Sequence, residues 1–351
     1  MRPKLTSHLL IPFAACSAES WLPAVQALHQ GGMQRLSQLL KGMKRIHTDI
    51  GDANSLSPPH ERALAQAFGL ADNETPDGLI PWAARDAAGK LQVANDKAWA
   101  WITPCHWAMG HLHATLSDPA ALALREDESR ELLAVMQPYF ETDGITLHYL
   151  TPERWLAEGE LFRTLPTASL DRVLARNVDA WLPDAGNAER SAGPPQASSS
   201  SSGASELHAV KSVAARTLRR LQNEMQMLLY THPFNDARDA GRQMPVNSFW
   251  ISGTGALPAG YVPTTTGVSV PRNLAEAVFK EDWPAYAQAW DTLDADEIAQ
   301  LLARQKAGET VRLTLCGEHS AQTFESGRIS LRSRISSLFA ASRTLDVLQQ
   351  L

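Results

Sequence analysis

The sequence predicts an α/β layered domain whose strands are at least partly parallel. Short apolar segments bounded by turn residues are typical of buried strands, and here they alternate with longer segments of helical periodicity. The predicted strands are Leu9–Phe13, Ala98–Thr103, Ile145–Leu150, Val246–Ser252, Gly267–Val270 and Val311–Cys316. Strands and helices that alternate in this way favour a sheet with helices packed on its faces.

Helices are predicted where apolar residues recur three and four positions apart. The longest, Leu207–Tyr230, carries a broad apolar stripe that runs from Val210 to Leu229. The other predicted helices are Glu61–Phe68, Glu128–Phe140, Leu274–Phe279, Pro284–Trp290, Asp294–Gln305 and Ser330–Leu351.

One segment interrupts this alternation. Asp184–Glu206 contains Gly193-Pro-Pro and the serine run Ser198–Ser202, and it has too little apolar surface to offset its ordering entropy. It is either a linker between two domains or an insertion in one. The insertion is favoured because neither half alone offers enough strands for a sheet. The prediction is therefore one α/β domain formed by residues 1–183 and 207–351, with a disordered insertion at 184–206.

Composition excludes several classes of protein. The chain has 351 residues, 44% hydrophobic and 20% charged, which excludes a disordered chain, a coiled coil and a disulfide miniprotein. The net charge of −6 (32 − 38) argues against nucleic acid or an anionic membrane surface as the main partner. No apolar run reaches the roughly 18–20 residues that span a bilayer.

Cysteine usage and the start of the chain bear on location. The three cysteines are odd in number and far apart, which suits a reducing compartment, and a cytoplasmic protein is predicted. Basic Arg2 and Lys4 before Leu9–Cys16 faintly imitate a lipoprotein signal. That apolar segment is short and Pro12 interrupts it, so a buried first strand is favoured.

The densest polar and aromatic segment follows the second predicted strand. Trp101, His106, Trp107, His111 and His113 lie within thirteen positions of one another. Tryptophan surface is costly to expose without a partner, and histidine is a common metal ligand, so these residues are candidates for a pocket wall. The alternative is a structural wall whose histidines form local hydrogen bonds.

Two further sets of residues are candidates for the same pocket. Asn223 lies on the long predicted helix among other amides, which suggests a buried hydrogen-bond network or a site lining. Asn247 and Trp250 lead into Gly253 and Gly255, where backbone N–H groups could face an anion. A Gly-x-Gly without a third glycine is a weak signal, and a simple turn is the more ordinary interpretation.

A last candidate follows the sixth predicted strand. Glu318 and His319 stand directly after Gly317, at a strand end where functional side chains of α/β sheets are often found. They are candidate metal ligands or an acid/base pair. Neighbouring residues of a strand point apart, so the two side chains converge only if the strand has already ended.

Two segments resemble a known enzyme family. Asn247–Gly255 resembles the Asn-x-x-Trp-x-x-Gly-x-Gly segment of archaeal-type cofactor-independent phosphoglycerate mutases. Leu315–Ser320 is similar to their strand that ends in an Asp-His metal pair, and Tyr286–Leu302 to the helix before it. The whole chain resembles a proteobacterial family of RpfE-type regulatory proteins or mutase homologues, through the segments Thr103–Trp107, Leu165–Arg172 and Leu221–Tyr230.

This resemblance implies a layered alkaline-phosphatase-like sheet flanked by helices. It also implies two divalent cations, such as Mn²⁺, that are held by Asp and His and activate a serine for phosphoryl transfer. The sequence departs from that pattern. Its first predicted strand runs into Ile11–Cys16 instead of an Asp-Gly metal site, and Glu318-His319 replaces the Asp-His pair. Two cations need several carboxylates, so two-metal chemistry is expected to be lost in a divergent fold.

Two hypotheses follow. In the first, the chain is a catalytically eroded relative without a cofactor, with a regulatory role or a pocket for a small phosphorylated or other polar ligand, or for a regulatory protein. In the second, it is an active metal-dependent phosphotransferase with a remodelled site. The candidate ligands in that case are His106, His111, His113, Glu318 and His319.

Overall fold

The chain forms a mixed α/β fold. A computed structural model describes residues 7–29, 32–72, 74–91, 96–110, 113–183, 202–262, 267–326 and 344–351. The strands are β1 (Ser7–Ile11), β2 (Met43–Ile50), β3 (Ala98–Cys105), β4 (Trp107–Met109), β5 (Ala114–Leu116), β6 (Thr146–Thr151), β7 (Arg154–Glu158), β8 (Ser248–Ala256), β9 (Val268–Ser269), β10 (Val311–Cys316) and β11 (Ser320–Ser326).

Helices connect these strands, and short 3₁₀ turns lie among them. The α-helices are α1 (Trp21–His29), α2 (Gln34–Lys41), α3 (Pro59–Phe68), α4 (Trp82–Lys90), α5 (Glu126–Glu141), α6 (Leu170–Val173), α7 (Ser202–Tyr230), α8 (Pro233–Ala240), α9 (Asn273–Phe279), α10 (Trp283–Ala295), α11 (Glu297–Lys306) and α12 (Thr344–Gln349).

The chain divides into two compact units. Unit 1 contains residues 1–69 and 263–351, and unit 2 contains residues 70–262. The boundaries predicted at 183 and 207 both fall inside unit 2. Helix α7 begins at Ser202, within the segment predicted to be disordered, whereas residues 184–201 lie outside the described part of the chain. Disorder over 184–201 and a single domain stay predictions.

Unit 1 is built on a mixed five-stranded sheet in the order β2-β11-β10-β1-β9. Strand β1 is parallel to both β10 and β9, while β11 is antiparallel to β10 and β2, so the predicted partly parallel sheet is confirmed here. Leu9, Ile11 and Leu313 pack on one face with helices α1, α2, α10, α11 and α12. Leu10 and Cys316 belong to a smaller cluster with α3 on the other face. Burial on both faces explains why most residues of β1 and β10 are apolar.

Unit 2 contains an antiparallel sheet in the order β6-β7-β3-β8 and a separate β4–β5 hairpin. Alternate residues of its strands, such as Ile102, Trp155 and Ile251, form an apolar core with α5 and α7. The residues between them, such as Trp101 and Arg154, point to the opposite face because side chains alternate along a strand. The five- and four-stranded sheets are separate, and the alkaline-phosphatase-like layering stays a prediction.

Candidate functional site

The second face of the unit 2 sheet borders a cavity of about 420 Å³. Its polar lining, defined here as the unit 2 cleft, consists of Asp86, Lys90, Thr103, Asp118, Thr151, Glu153 and Arg154. Apolar side chains, among them Leu150 and Leu170, complete the wall. The cleft therefore presents both signs of charge to one space.

Four local structures place these side chains. Asp86 and Lys90 lie one turn apart on α4 and so share a face of that helix. Asp118 caps a short 3₁₀ turn, where its Oδ1 accepts a hydrogen bond of 3.0 Å from the backbone N–H of Ala120. Arg154 opens β7 directly after the tight turn from β6, and Thr103 is buried on β3.

Trp101 contacts two of the charged residues that line the cleft. Its indole N–H donates a 3.1 Å hydrogen bond to Oδ2 of Asp86. The guanidinium carbon of Arg154 lies 4.3 Å from the centre of the Trp101 ring. A stacked guanidinium keeps its five N–H donors in its own plane and directed away from the aromatic ring, where they remain able to bind an acceptor.

Arg154 keeps those donors free within the described part of the chain. No carboxylate oxygen of a described residue lies within 4.0 Å of its guanidinium, and it forms no hydrogen bond to a described residue. Arg154 is half-buried, so less water competes for its donors than at an open surface. The stacking on Trp101 holds a cation ready for a planar anion.

Asp86 is the most enclosed acid of the cleft. Burial raises the pKa of its carboxyl above the usual aspartate value, and this effect exceeds the opposing influence of Arg154 and of the Trp101 hydrogen bond. When every group is ionised, the three carboxylates and two cations of the lining sum to −1.

Of the residues predicted from sequence, Trp101 contacts the cleft lining directly, whereas others are engaged in structural bonds. The side chain of Asn247 accepts from the backbone N–H of Trp107 at 2.7 Å and donates to its carbonyl at 3.0 Å. Nδ1 of His106 is 2.9 Å from the carbonyl oxygen of Pro245. Trp250 donates its indole N–H to the carbonyl of Ala168 at 3.0 Å. These three side chains brace strands and loops of unit 2.

Gly253 and Gly255 lie within β8, not in an anion-binding turn after it. Gly253 has a φ of 63°, and a Cβ there would stand 2.8 Å from the ring of Trp101. The glycine is therefore required where the Trp101 ring crosses the strand backbone. The interpretation of this Gly-x-Gly as a turn is wrong, because the strand continues to Ala256.

The remaining predicted pocket residues do not gather around the cleft. His113 is exposed beside the β4–β5 hairpin, and Asn223 is exposed on α7, whose apolar stripe packs on the other face of the sheet. His111 lies outside the described residues.

Glu318 and His319 belong to unit 1, in the turn between β10 and β11. Glu318 is buried, and its Oε2 accepts hydrogen bonds from Oγ of Ser17 at 2.6 Å and from the backbone N–H of Ser17 at 3.1 Å. The carbonyl of His319 accepts from the N–H of Gly51 at 2.8 Å. The carboxylate thus fastens the segment after β1 to the β10–β11 turn.

An aromatic network fills the space beyond the end of β1. Phe13 is buried with a φ of 53°, in the left-handed region that bulky residues rarely adopt. The hydroxyl of Tyr286 lies 3.1 Å from the carbonyl oxygen of Phe13 and 3.0 Å from that of Ala14, and it accepts a hydrogen bond from the indole N–H of Trp21. This network holds the strained backbone in place.

The donor set at this edge does not fit two divalent cations. A pair of such ions requires several carboxylates, but the residues after β1 are apolar and the carboxylate of Glu318 already binds Ser17. Across the described ranges, no group of three or more His, Cys, Asp or Glu residues is placed to hold a metal ion. The predicted ligands Glu318 and His319 therefore lack the partners that such a centre needs.

Sequence reasoning missed most of the cleft. Asp86 and Lys90 form an i, i+4 pair on a short alanine-rich helix, a pattern that is ordinary on a solvated surface. Arg154 follows a Thr-Pro-Glu turn, and nothing local indicates that it stacks on a tryptophan more than fifty positions earlier. Asp118 stands close to the predicted histidine segment, but no neighbouring residue in the sequence indicates that its side chain lines a cavity.

Comparisons with known proteins give two structural similarities. No protein-family model matches the chain, and no curated protein matches it. A cofactor-independent phosphoglycerate mutase from Thermoplasma acidophilum is 12% identical, with a TM-score of 0.36 and coverage of 99% of both chains. A protein from Pyrococcus horikoshii is 10% identical, with a TM-score of 0.45 and coverage of 95% of this chain and 93% of that one. At these sequence identities and TM-scores, the two similarities describe only the path of the chain and carry no argument about activity.

Within the described residues, no helix is both long enough and apolar enough to cross a membrane.

Proposed function

We propose that this protein is a catalytically eroded relative of the cofactor-independent phosphoglycerate mutases that binds a small polar ligand in the unit 2 cleft. In this proposal its role is regulatory, and it does not transfer phosphoryl groups. The observation that carries the proposal is Arg154, stacked on Trp101 with its donors free beside a cavity of about 420 Å³.

The size and chemistry of the cleft support a small-molecule site. Ligand pockets commonly enclose about 300–1,000 Å³ and combine apolar walls with a few fixed polar groups. The unit 2 cleft has this combination, because Leu150 and Leu170 stand beside the charged residues. An arginine held in place by an aromatic ring loses less rotamer entropy when it binds a ligand.

The carboxyl edge of unit 1 supports the loss of catalysis. The buried carboxylate of Glu318 is committed to Ser17, and the strand that would supply a first metal site ends in apolar residues. The exposed Ser17 hydroxyl is paired with a carboxylate and not with an imidazole, so it lacks the base that commonly activates a serine nucleophile.

Two measurements on the full-length purified protein test this proposal. The first is metal content after dialysis against Mn²⁺, together with hydrolysis of a phosphomonoester in Mn²⁺; we expect less than one tightly bound ion per chain and no turnover above buffer. Stoichiometric tight metal with turnover would establish the alternative, an active metal-dependent phosphotransferase.

The second measurement is calorimetric binding of a panel of small polar compounds, namely amino acids, short peptides, sugars and inorganic phosphate. We expect at least one to bind the wild type and to lose affinity in Arg154→Ala. Binding that Arg154→Ala leaves unchanged, or no binding across the whole panel, would contradict a ligand site in this cleft.

A further inference from the structure

The charges of the cleft restrict what it can bind. Lys90 and Arg154 are the cations of the lining, and Asp86, Asp118 and Glu153 are the acids. A ligand with several negative charges would enter a lining whose own sum is −1. A ligand with one negative and one positive group adds no net charge and can meet both kinds of side chain.

Arg154 fits a carboxylate. Its guanidinium is planar and stacked 4.3 Å above Trp101, and no carboxylate oxygen of a described residue lies within 4.0 Å of it, although the charge of Asp86 acts on it from farther away. Two parallel N–H donors of an arginine match the two oxygens of a carboxylate, and such a bidentate pair is stronger than a single hydrogen bond. Lys90, on the exposed end of α4, adds positive charge to the same lining.

Asp118 and Glu153 fit an ammonium group. Both are exposed side chains that line the cleft, so their carboxylates are hydrated and carry charge that no described cation neutralises within 4.0 Å. Asp86 differs from them, because it is bonded to Trp101 and faces Arg154, Arg85 and Lys90. The two exposed acids are thus the ones available to a ligand cation.

From this arrangement we infer that the unit 2 cleft binds a small zwitterion, an α-amino acid or short peptide, whose carboxylate pairs with Arg154 and whose ammonium group faces Asp118 and Glu153. The inference rests on the proposed function, since it names the ligand class of the same cleft. Trp101 is a positioning residue that fixes the Arg154 fork.

Calorimetric titration of the wild-type protein with matched alanine compounds tests the ligand class. The probes are L-alanyl-L-alanine, its N-acetylated form, which lacks the ammonium group, and its C-terminal amide, which lacks the carboxylate. L-alanine and tri-L-alanine separate an amino acid from a peptide as the preferred length. We expect each blocked dipeptide to bind at least about tenfold more weakly than the free one.

Variants locate the carboxylate. Arg154→Lys keeps the charge but loses the fork, so we expect it to weaken binding of the free dipeptide about tenfold and to leave the amide unchanged. The matched control is Arg130→Lys, since Arg130 also stacks on a ring, that of Tyr149, at 3.8 Å, but lies on the exposed face of α5. We expect that control to bind as the wild type does.

A second pair of variants tests the positioning role of Trp101. Trp101→Leu should weaken binding of the free dipeptide, whereas Trp101→Phe should bind it as the wild type does, because phenylalanine keeps a stacking surface.

The outcomes separate this inference from the proposed function. If the acetylated dipeptide or the amide binds as tightly as the free dipeptide, the zwitterion assignment is wrong. If no alanine compound binds but a sugar or inorganic phosphate does, in an Arg154-dependent way, the assignment is wrong and the ligand cleft stands. If nothing in either panel binds, both are wrong.

Discussion

The carboxyl edge of the unit 1 sheet and the cleft of unit 2 contain similar residue types but use them in opposite ways. In unit 1, Glu318 binds Ser17, and the hydroxyl of Tyr286 meets two backbone carbonyls and an indole N–H. In unit 2, Arg154 is held from behind by Trp101 and faces a cavity. Residue type alone therefore does not identify a site. The informative property is whether a polar group retains hydrogen-bond donors or acceptors that its neighbours do not use.

The two units also differ in how burial acts on their titratable groups. His8, on β1 between β10 and β9, has its pKa lowered to about 4 by burial and, to a smaller extent, by Arg312. Asp86 of the cleft has its pKa raised by burial. Both shifts favour the neutral form, but they make the stability of the two units depend on pH in opposite directions.

The largest expected effect is the acid sensitivity of unit 1. Unfolded His8 takes up a proton near pH 6.5, whereas the folded protein resists until about pH 4. The free energy of unfolding should therefore fall by up to about 3 kcal/mol as pH drops from 6.5 to 4, and change little through His8 above that range. Urea unfolding at several pH values measures this change in the free energy of unfolding, and hydrogen exchange resolves the contribution of β1. The His8→Gln variant should lose most of the slope, and an unaltered slope in that variant would refute the assignment.

The Tyr286 hydroxyl should contribute strongly to unit 1. Tyr286→Phe leaves a buried indole N–H and two carbonyls without this partner, which should cost about 2 kcal/mol of unfolding free energy. Tyr230→Phe is the control, because Tyr230 is 86% exposed and its change should cost less than about 0.5 kcal/mol. Equal losses in the two variants would mean that the network after β1 does not stabilise the edge.

Gly253 should be needed for the shape of the cleft. Gly253→Ala combines a φ of 63° with a Cβ 2.8 Å from the Trp101 ring, while Gly260→Ala has a similar φ of 74° but open space. Each change should cost about 1 kcal/mol for its backbone, and Gly253→Ala about 1 kcal/mol more for crowding. Thermal unfolding gives both values, and near-ultraviolet circular dichroism reports the displaced tryptophan. Indistinguishable variants would show that the contact with Trp101 imposes no constraint.

The smallest expected effect is the opposite pH slope of unit 2. Folded Asp86 holds its proton to higher pH than the unfolded chain does, so its contribution to stability is present at acid pH and is lost as pH rises through its folded pKa. Hydrogen exchange of β3 and α4, compared between wild type and Asp86→Asn, isolates this slope. A unit 2 whose protection rises with pH through Asp86 would contradict the direction of the shift.

The elements that sequence predicted well are those whose burial is continuous. The prediction for β10, Val311–Cys316, matches the structure, because a short and mostly apolar segment flanked by turn residues is a local signal. Strand β11, Ser320–Ser326, was missed because it carries mostly polar residues and takes its register from β10. Strand β2 lies at the edge of the sheet and is largely exposed, so it lacks the apolar pattern of a buried strand and was also missed.

The candidate site could be predicted only where a single segment carries it. Trp101 was identified because aromatic residues concentrate around it. Arg154 was not, because its approach to Trp101 depends on the pairing of β3 with β7, where Trp101 stands opposite Leu156. Such pairings join positions that are distant in sequence, and no periodicity within either segment encodes them.

A crystal grown with Mn²⁺ and L-alanyl-L-alanine, and recorded at the manganese edge, distinguishes a ligand-binding cleft from a two-metal centre. We expect the dipeptide in the unit 2 cleft with its carboxylate on Arg154, and no pair of manganese ions beside Glu318 and His319. Two ions about 4 Å apart at that turn, bridged by a serine oxygen and accompanied by an empty cleft, would contradict it.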